Sequence, residues 1–324
     1  GIKPTGNIHV GNYFGAIKPA IALTEKYFGL YFVADLHALN SNFAPKDLQQ
    51  LIYEVAAAWI AFGLDTEKAI FFRQSDIHEI PELTTILSAV TPKGLMNRAH
   101  AYKAMLEKNA LAGNDPDDGV NMGLYTYPIL MAADILLYDS DVVPVGLDQK
   151  QHVEIARDIA ENLNRIYGKT LKLPEGVYAE NMKDIPGIDG RKMSKSYNNT
   201  LPIFAPEKDL RKQVMRIVTD STPPEEPKNP DTCNLFQIYQ NFGTPERVAE
   251  IRQLYLQGGL AYGKLKQELF ETMLATFGPA RERFEELMAN RTEIDHLLAK
   301  GAERARELAQ PVLARVRKAV GIDR

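Results

Sequence analysis

At 324 residues and 45% hydrophobic content, the chain is long enough to bury a sizeable core and is expected to divide into two domains. No apolar run approaches the ~20 residues that span a bilayer, and the start lacks the basic, apolar, small-residue succession of a signal peptide, so a cytoplasmic, membrane-free protein is expected. A net charge of −4 gives no global attraction to nucleic acid, and the single cysteine, Cys233, excludes an internal disulfide or a cysteine cluster and reads as a small buried residue.

The chain opens at Gly1 in what reads as the loop after a first strand, so an opening strand is expected upstream. A helical pattern over residues 12–27 leads into an apolar run at 30–34, rich in β-branched and aromatic residues, that reads as a strand. Residues 45–62 form the next expected helix, with Pro45 and Asp47 as its start and Gly63 as its stop. A second strand is expected at 69–72, a polar loop and candidate mobile cover at 113–119, a helix at 124–138, a third strand at 142–145 and a helix at 148–167. Strands alternating with longer helices indicate an α/β fold with a mostly parallel sheet. Beyond about Asn199 the strand-like runs stop, and helical patterns occupy 207–219, 245–256, 260–277 and 280–288, interrupted by a proline-rich loop at 221–230. The expected division is an α/β domain at 1–200, a helical domain at 201–290, and a C-terminal helix at 291–324 that packs back on the first domain.

The most informative segment is Lys192-Met193-Ser194-Lys195-Ser196, a string that average residue usage produces in roughly one in ten thousand chains of this length. Two flexible ammonium groups and two hydroxyls beside Gly187 and Gly190 suit a moving polyphosphate, whereas most lysine pairs are merely solvated surface charge. Near the other end of the domain, Pro4, Thr5, Gly6, His9, Gly11 and Asn12 surround a helix start: the glycines permit close backbone approach, and the helix offers free N–H groups to anions. His9 and Asn12 are candidates to hydrogen-bond phosphate oxygens, although His-x-Gly-Asn alone is more often an ordinary helix start. Lys3 and Lys103 are further candidates for the pyrophosphate side. Gly146-Leu147-Asp148-Gln149 lies between a strand and a helix, where ligands gather in open α/β sheets. There Asp148 is a candidate for ribose hydroxyls or a helix cap, and Gln149 for an ammonium group.

Asp134 sits in the apolar run 129–137, so burial of its carboxylate is expected, and a buried carboxylate needs donors. An indole N–H is one such donor, with Met131 packing against the ring; a backbone N–H or an arginine is the alternative. His37, at the end of the first recognised strand, lines the same pocket or caps and packs locally. His152 reads as a buried helix residue.

The lysine string and the 4–12 segment resemble the KMSKS and HIGH signatures of class I aminoacyl-tRNA synthetases. Leu124 to Pro128, Met131 to Tyr138, Val143 to Gly146 and Asp148 to His152 are similar to segments of bacterial tryptophanyl-tRNA synthetases in order and spacing. That resemblance implies a Rossmann-like catalytic domain with an all-helical anticodon-binding domain, assembled as a homodimer. It implies activation of L-tryptophan by ATP, with Mg²⁺ carried on the phosphates, and transfer to tRNA(Trp). Asp134 is implied for the indole N–H, Tyr127 and Gln149 for the ammonium group, and Met131, Val143 and Val145 for the ring. ATP contacts are implied at Lys3 to Thr5, Gly11, Asn12, Gly146 to Asp148, Ile185 and Lys192 to Ser196. Lys3, His9 and Leu147 depart from the commonest family residues, which puts their side-chain roles in question. Tyrosine activation and a non-catalytic tRNA-binding paralogue are the rival readings. For tRNA, Lys208, Arg211, Lys212 and Arg216 and the basic last helix, with Arg304, Arg306, Arg315, Arg317, Lys318 and Arg324, form the candidate surface.

Overall fold

The structure is a computed structural model that describes residues 1–178 and 185–323, so Arg324 lies outside the described residues. β1 (Leu30–Val33) pairs in parallel with β2 (Ile70–Arg73), in the register Leu30 to Ile70 through Val33 to Arg73. On the other side of β1, Ile2 forms a parallel bridge to Val33 and exchanges hydrogen bonds with Phe32 O and Ala34 N. β3 (Val142–Val145) pairs in parallel with β4 (Glu175–Tyr178), a strand the sequence pattern did not reveal because its Glu-Gly-Val-Tyr run is only half apolar.

The helices of the first half are α1 (Val10–Asn12), α2 (Lys18–Leu23), α3 (Asp35–Ala38), α4 (Pro45–Ala61), α5 (Glu79–Val90), α6 (Lys93–Met96), α7 (His100–Ala112), α8 (Met122–Leu136) and α9 (Lys150–Tyr167). A wide π turn, Tyr13–Ile17, joins α1 to α2. Local chemistry explains the helix ends: Pro45 opens α4, and Asn121 caps α8 by accepting the Leu124 N–H at 2.8 Å. The second half is helical: α10 (Glu207–Met215), α11 (Asn234–Tyr239), α12 (Pro245–Gln257), α13 (Tyr262–Ala289) and α14 (Arg291–Val320).

The break expected between residues 277 and 280 is absent, because α13 runs unbroken through Pro279. An interior proline costs about 3 kcal/mol through its missing N–H and its clash with the preceding turn. Packing on both sides of Pro279 offsets that cost. Phe277 and Leu287 are buried, Phe284 stacks on Phe204 with ring centroids 4.0 Å apart, and Arg281 donates to the Ile203 and Ala205 carbonyls.

Buried apolar residues sort into two clusters that cut across the sequence halves. One joins Val10, Ile17 and Trp59 to Met193, Tyr239, Phe277 and Leu287; the other joins Phe72, Leu83, Ala133 and Ile159 to Ala305 and Val316. α14 lies against β2 because Gly301 has no side chain: a Cβ there would stand 1.8 Å from the Phe71 carbonyl oxygen. Its arginines fasten it in place, Arg304 donating to the Thr66 and Ala69 carbonyls, Arg306 to Asp76 O and Arg315 to Thr170 O, while Arg317 pairs with Glu82. These four guanidinium groups are therefore anchors within the chain rather than a free basic surface. Among the described residues, no helix is long and apolar enough to cross a membrane.

Candidate active site

Two distant segments meet at the lysine string. Lys195 Nζ donates to the Gly6 carbonyl at 2.7 Å, and the Gly11 N–H donates to Met193 Sδ at 3.3 Å. Gly6 has φ +126°, a backbone conformation that favours glycine, and it packs directly against the Lys195 side chain, with a Cβ there only 3.3 Å from Lys195 Cδ. Met193 is buried beside Ile185, whose carbonyl accepts the Met193 N–H at 3.0 Å. The methionine and Ile185 thus pin the loop to the core, leaving Lys192 and Ser196 exposed.

His9 and Asn12 cap α1 reciprocally: His9 Nδ1 accepts the Asn12 N–H at 3.3 Å, and Asn12 Oδ1 accepts the His9 N–H at 3.2 Å. Burial, reinforced by the charge of Lys195, pushes the imidazole down to about 4, so it is neutral near pH 7. With Nδ1 accepting, its proton sits on Nε2. The cap therefore uses one end of each side chain and leaves an N–H donor at the other. Burial holds the Lys195 ammonium down to about 8, against the opposing attraction of Glu54. An arriving polyphosphate supplies the negative charge that restores its proton.

Asn199, which follows the string, organises it from below and was not singled out by its sequence. Only 1% exposed, it accepts the Ser194 N–H at 2.8 Å and donates to Lys192 O at 3.1 Å and to Asp189 Oδ1 at 2.7 Å. Its only sequence signal is its place three residues past Ser196.

The second constellation surrounds Asp134 on α8. His37 Nε2 lies 2.9 Å from Asp134 Oδ2, and Gln74 Nε2 lies 2.8 and 2.9 Å from the two carboxylate oxygens. Among the described residues the carboxylate is held by these two side chains, not by an arginine or a backbone N–H. Tyr127, two turns earlier on the same face of α8, shares a hydrogen bond with His152 Nε2, and its ring lies edge-on to His37 with centroids 6.2 Å apart. Burial pushes the Tyr127 phenol up to about 12.

The fold thus presents a buried carboxylate on α8 and a lysine loop held against the Gly6–Gly11 segment. The family pattern of class I tRNA synthetases (W and Y) matches residues 1–278. The chain belongs to this family. It is 51% identical to the tryptophan–tRNA ligase of Pseudomonas aeruginosa, over 99% of this chain and 73% of that protein. The ligase of Rhodopirellula baltica is 47% identical, with 99% and 98% covered. The Campylobacter jejuni tryptophanyl-tRNA synthetase, solved in complex with ADP and tryptophan, superposes with a TM-score of 0.90 at 43% identity, covering 99% of this chain and 98% of that one. An Archaeoglobus fulgidus tyrosyl-tRNA synthetase, at 20% identity and a TM-score of 0.61, shares the fold.

The remaining candidates of this synthetase are spread over strands, loops and helices. Val143 and Val145 are half-buried on β3, and Gly146 leads into a 3₁₀ turn, Leu147–Gln149, that opens α9. Leu147 is 68% exposed, while the side chain of Asp148 lies outside the described residues. Met131 is half-buried in the cluster around Asp134. Pro4 is buried and Thr5 half-buried beside the Gly6 turn, and Lys3 is exposed at the end of the Ile2 bridge. Lys103 stands exposed on α7, with no hydrogen bond to the lysine loop among the described residues. Gln74 escaped sequence reasoning; its one signal was a polar pair, Gln74-Ser75, directly after an apolar strand.

Proposed function

We propose that this synthetase is a tryptophan–tRNA ligase: it activates L-tryptophan with ATP and transfers it to tRNA(Trp). The carrying observation is Asp134, a buried carboxylate held by Gln74 and His37, in a chain close to half identical to tryptophan–tRNA ligases across nearly all its length. A tryptophan carboxylate oxygen attacks the α-phosphorus, the bond to the bridging oxygen breaks, and pyrophosphate leaves with the charge. Lys192 and Lys195 stabilise that charge, His9 Nε2–H and the carboxamide N–H of Asn12 donate to phosphate oxygens, and Gly146 to Asp148 flank the ribose. Asp134 accepts the indole N–H, Tyr127 and Gln149 take the ammonium group, and Met131, Val143 and Val145 enclose the ring.

Among the described residues no group of three or more His, Cys, Asp or Glu side chains is placed to hold a metal ion. In this reading Mg²⁺ is carried on the nucleotide, where it neutralises phosphate charge. A cytoplasmic homodimer is part of the same proposal, as is tRNA contact through α10 with Lys208, Arg211 and Lys212 and the adjoining Arg216. Tryptophan-dependent exchange of labelled pyrophosphate into ATP tests activation, with tyrosine as the comparison. Exchange with tyrosine alone, or unimpaired tryptophan exchange by Asp134→Ala, would refute the assignment.

A further inference from the structure

Gln74 is wholly buried at the carboxyl end of β2, and its carboxamide is orientated from both sides. Oε1 accepts the Leu36 N–H at 3.1 Å, which forces the NH₂ end toward Asp134, where it meets both carboxylate oxygens. The neighbouring residue is clamped as well: Ser75 donates from its N–H and its hydroxyl to the two oxygens of buried Asp35, at 3.0 and 2.5 Å. Asp35 Oδ1 also accepts the Leu36 N–H at 3.0 Å, so the ends of β1 and β2 are tied into one rigid corner.

Each carboxylate oxygen of Asp134 has room for two donors. Among the described residues Oδ2 receives two, from Gln74 and His37, while Oδ1 receives one, from Gln74. One acceptor position, on Oδ1, remains for a ligand. We propose that Gln74 is a positioning residue for amino-acid selection, fixing the Asp134 carboxylate so that a single Oδ1 lone pair faces the indole N–H. The proposal rests on tryptophan being the substrate and on Asp134 accepting its N–H. Gln74 itself touches no substrate; it acts by preventing the carboxylate from rotating or from turning both oxygens to its protein donors. A donor-bearing side chain that merely filled space would serve packing equally well but would not set this direction.

The test compares tryptophan with its benzothiophene counterpart, in which sulfur replaces the indole N–H, in pyrophosphate exchange. In the unaltered enzyme kcat/KM should favour tryptophan by about 10- to 100-fold, the range for a hydrogen bond to a charged acceptor. In Gln74→Met, which keeps the volume, that preference should shrink to within about threefold, through loss of tryptophan use with little change for the sulfur analogue. Gln74→Asn, which withdraws the carboxamide by one methylene, provides the second variant should Gln74→Met not fold, with thermal melting as the folding control; its preference should also shrink. Equal losses for both substrates, preserving the preference, would make Gln74 purely structural and overturn the proposal. A preference near one in the unaltered enzyme would instead refute its premise, that Asp134 reads the indole N–H.

Discussion

Replacing Asn199 by alanine provides the sharpest test of how the lysine loop is held. The substitution removes three hydrogen bonds, from Ser194 N and to Lys192 O and Asp189 Oδ1, at a residue only 1% exposed. At about 1 kcal/mol each, with further cost for any group left buried without a partner, the loss is about 3 kcal/mol, or roughly 100-fold in the population of the ordered loop. The core pins at Met193 and Ile185 remain, so the disorder is confined to the segment carrying the two lysines. Pyrophosphate exchange with varied ATP should therefore lose about 10- to 100-fold in kcat/KM. Tryptophan affinity measured by calorimetry should stay within about twofold, because among the described residues Asp134 and its partners share no hydrogen bond with Asn199. Unchanged ATP kinetics in a folded Asn199→Ala protein would refute this account of loop order, as would an equal loss of tryptophan binding.

The Lys195 ammonium, held near 8 by burial, predicts that kcat/KM for ATP falls as pH rises through about 8, since the free enzyme then loses the cation. Lys195→Arg, whose guanidinium stays charged, should abolish that alkaline fall, and a flat profile in the unaltered enzyme would exclude it. Gly301→Val should destabilise the protein by several kcal/mol in chemical denaturation, because the new Cβ meets Phe71 backbone that cannot yield without moving α14; wild-type stability would contradict the docking described. Lys228 is 6% exposed, with Nζ donating to the Pro223, Pro224 and Glu226 carbonyls. Lys228→Met should loosen the proline-rich loop by about 2–3 kcal/mol, seen as faster amide hydrogen exchange there, and unaltered exchange would count against the ammonium as its clasp.

Much of the molecule was legible from the chain alone, and the reasons are local. Strand type at β1, β2 and β3 follows from short β-branched and aromatic runs, and the start of α4 from Pro45, because these are properties of neighbouring residues. The lysine string pointed to phosphate chemistry because its unusual sequence is itself a local property of adjacent residues. Tertiary structure alone decided that α13 continues through Pro279, since contacts with residues far away in sequence outweigh a local penalty. It also decided that four arginines of a basic helix bind carbonyls and a carboxylate within the chain, which composition cannot distinguish from a free surface. Gln74 and Asn199 belong to the same class. A lone buried amide carries no periodicity or motif, and its meaning lies in the direction of its hydrogen bonds, a quantity that exists only once distant backbone segments have been brought together.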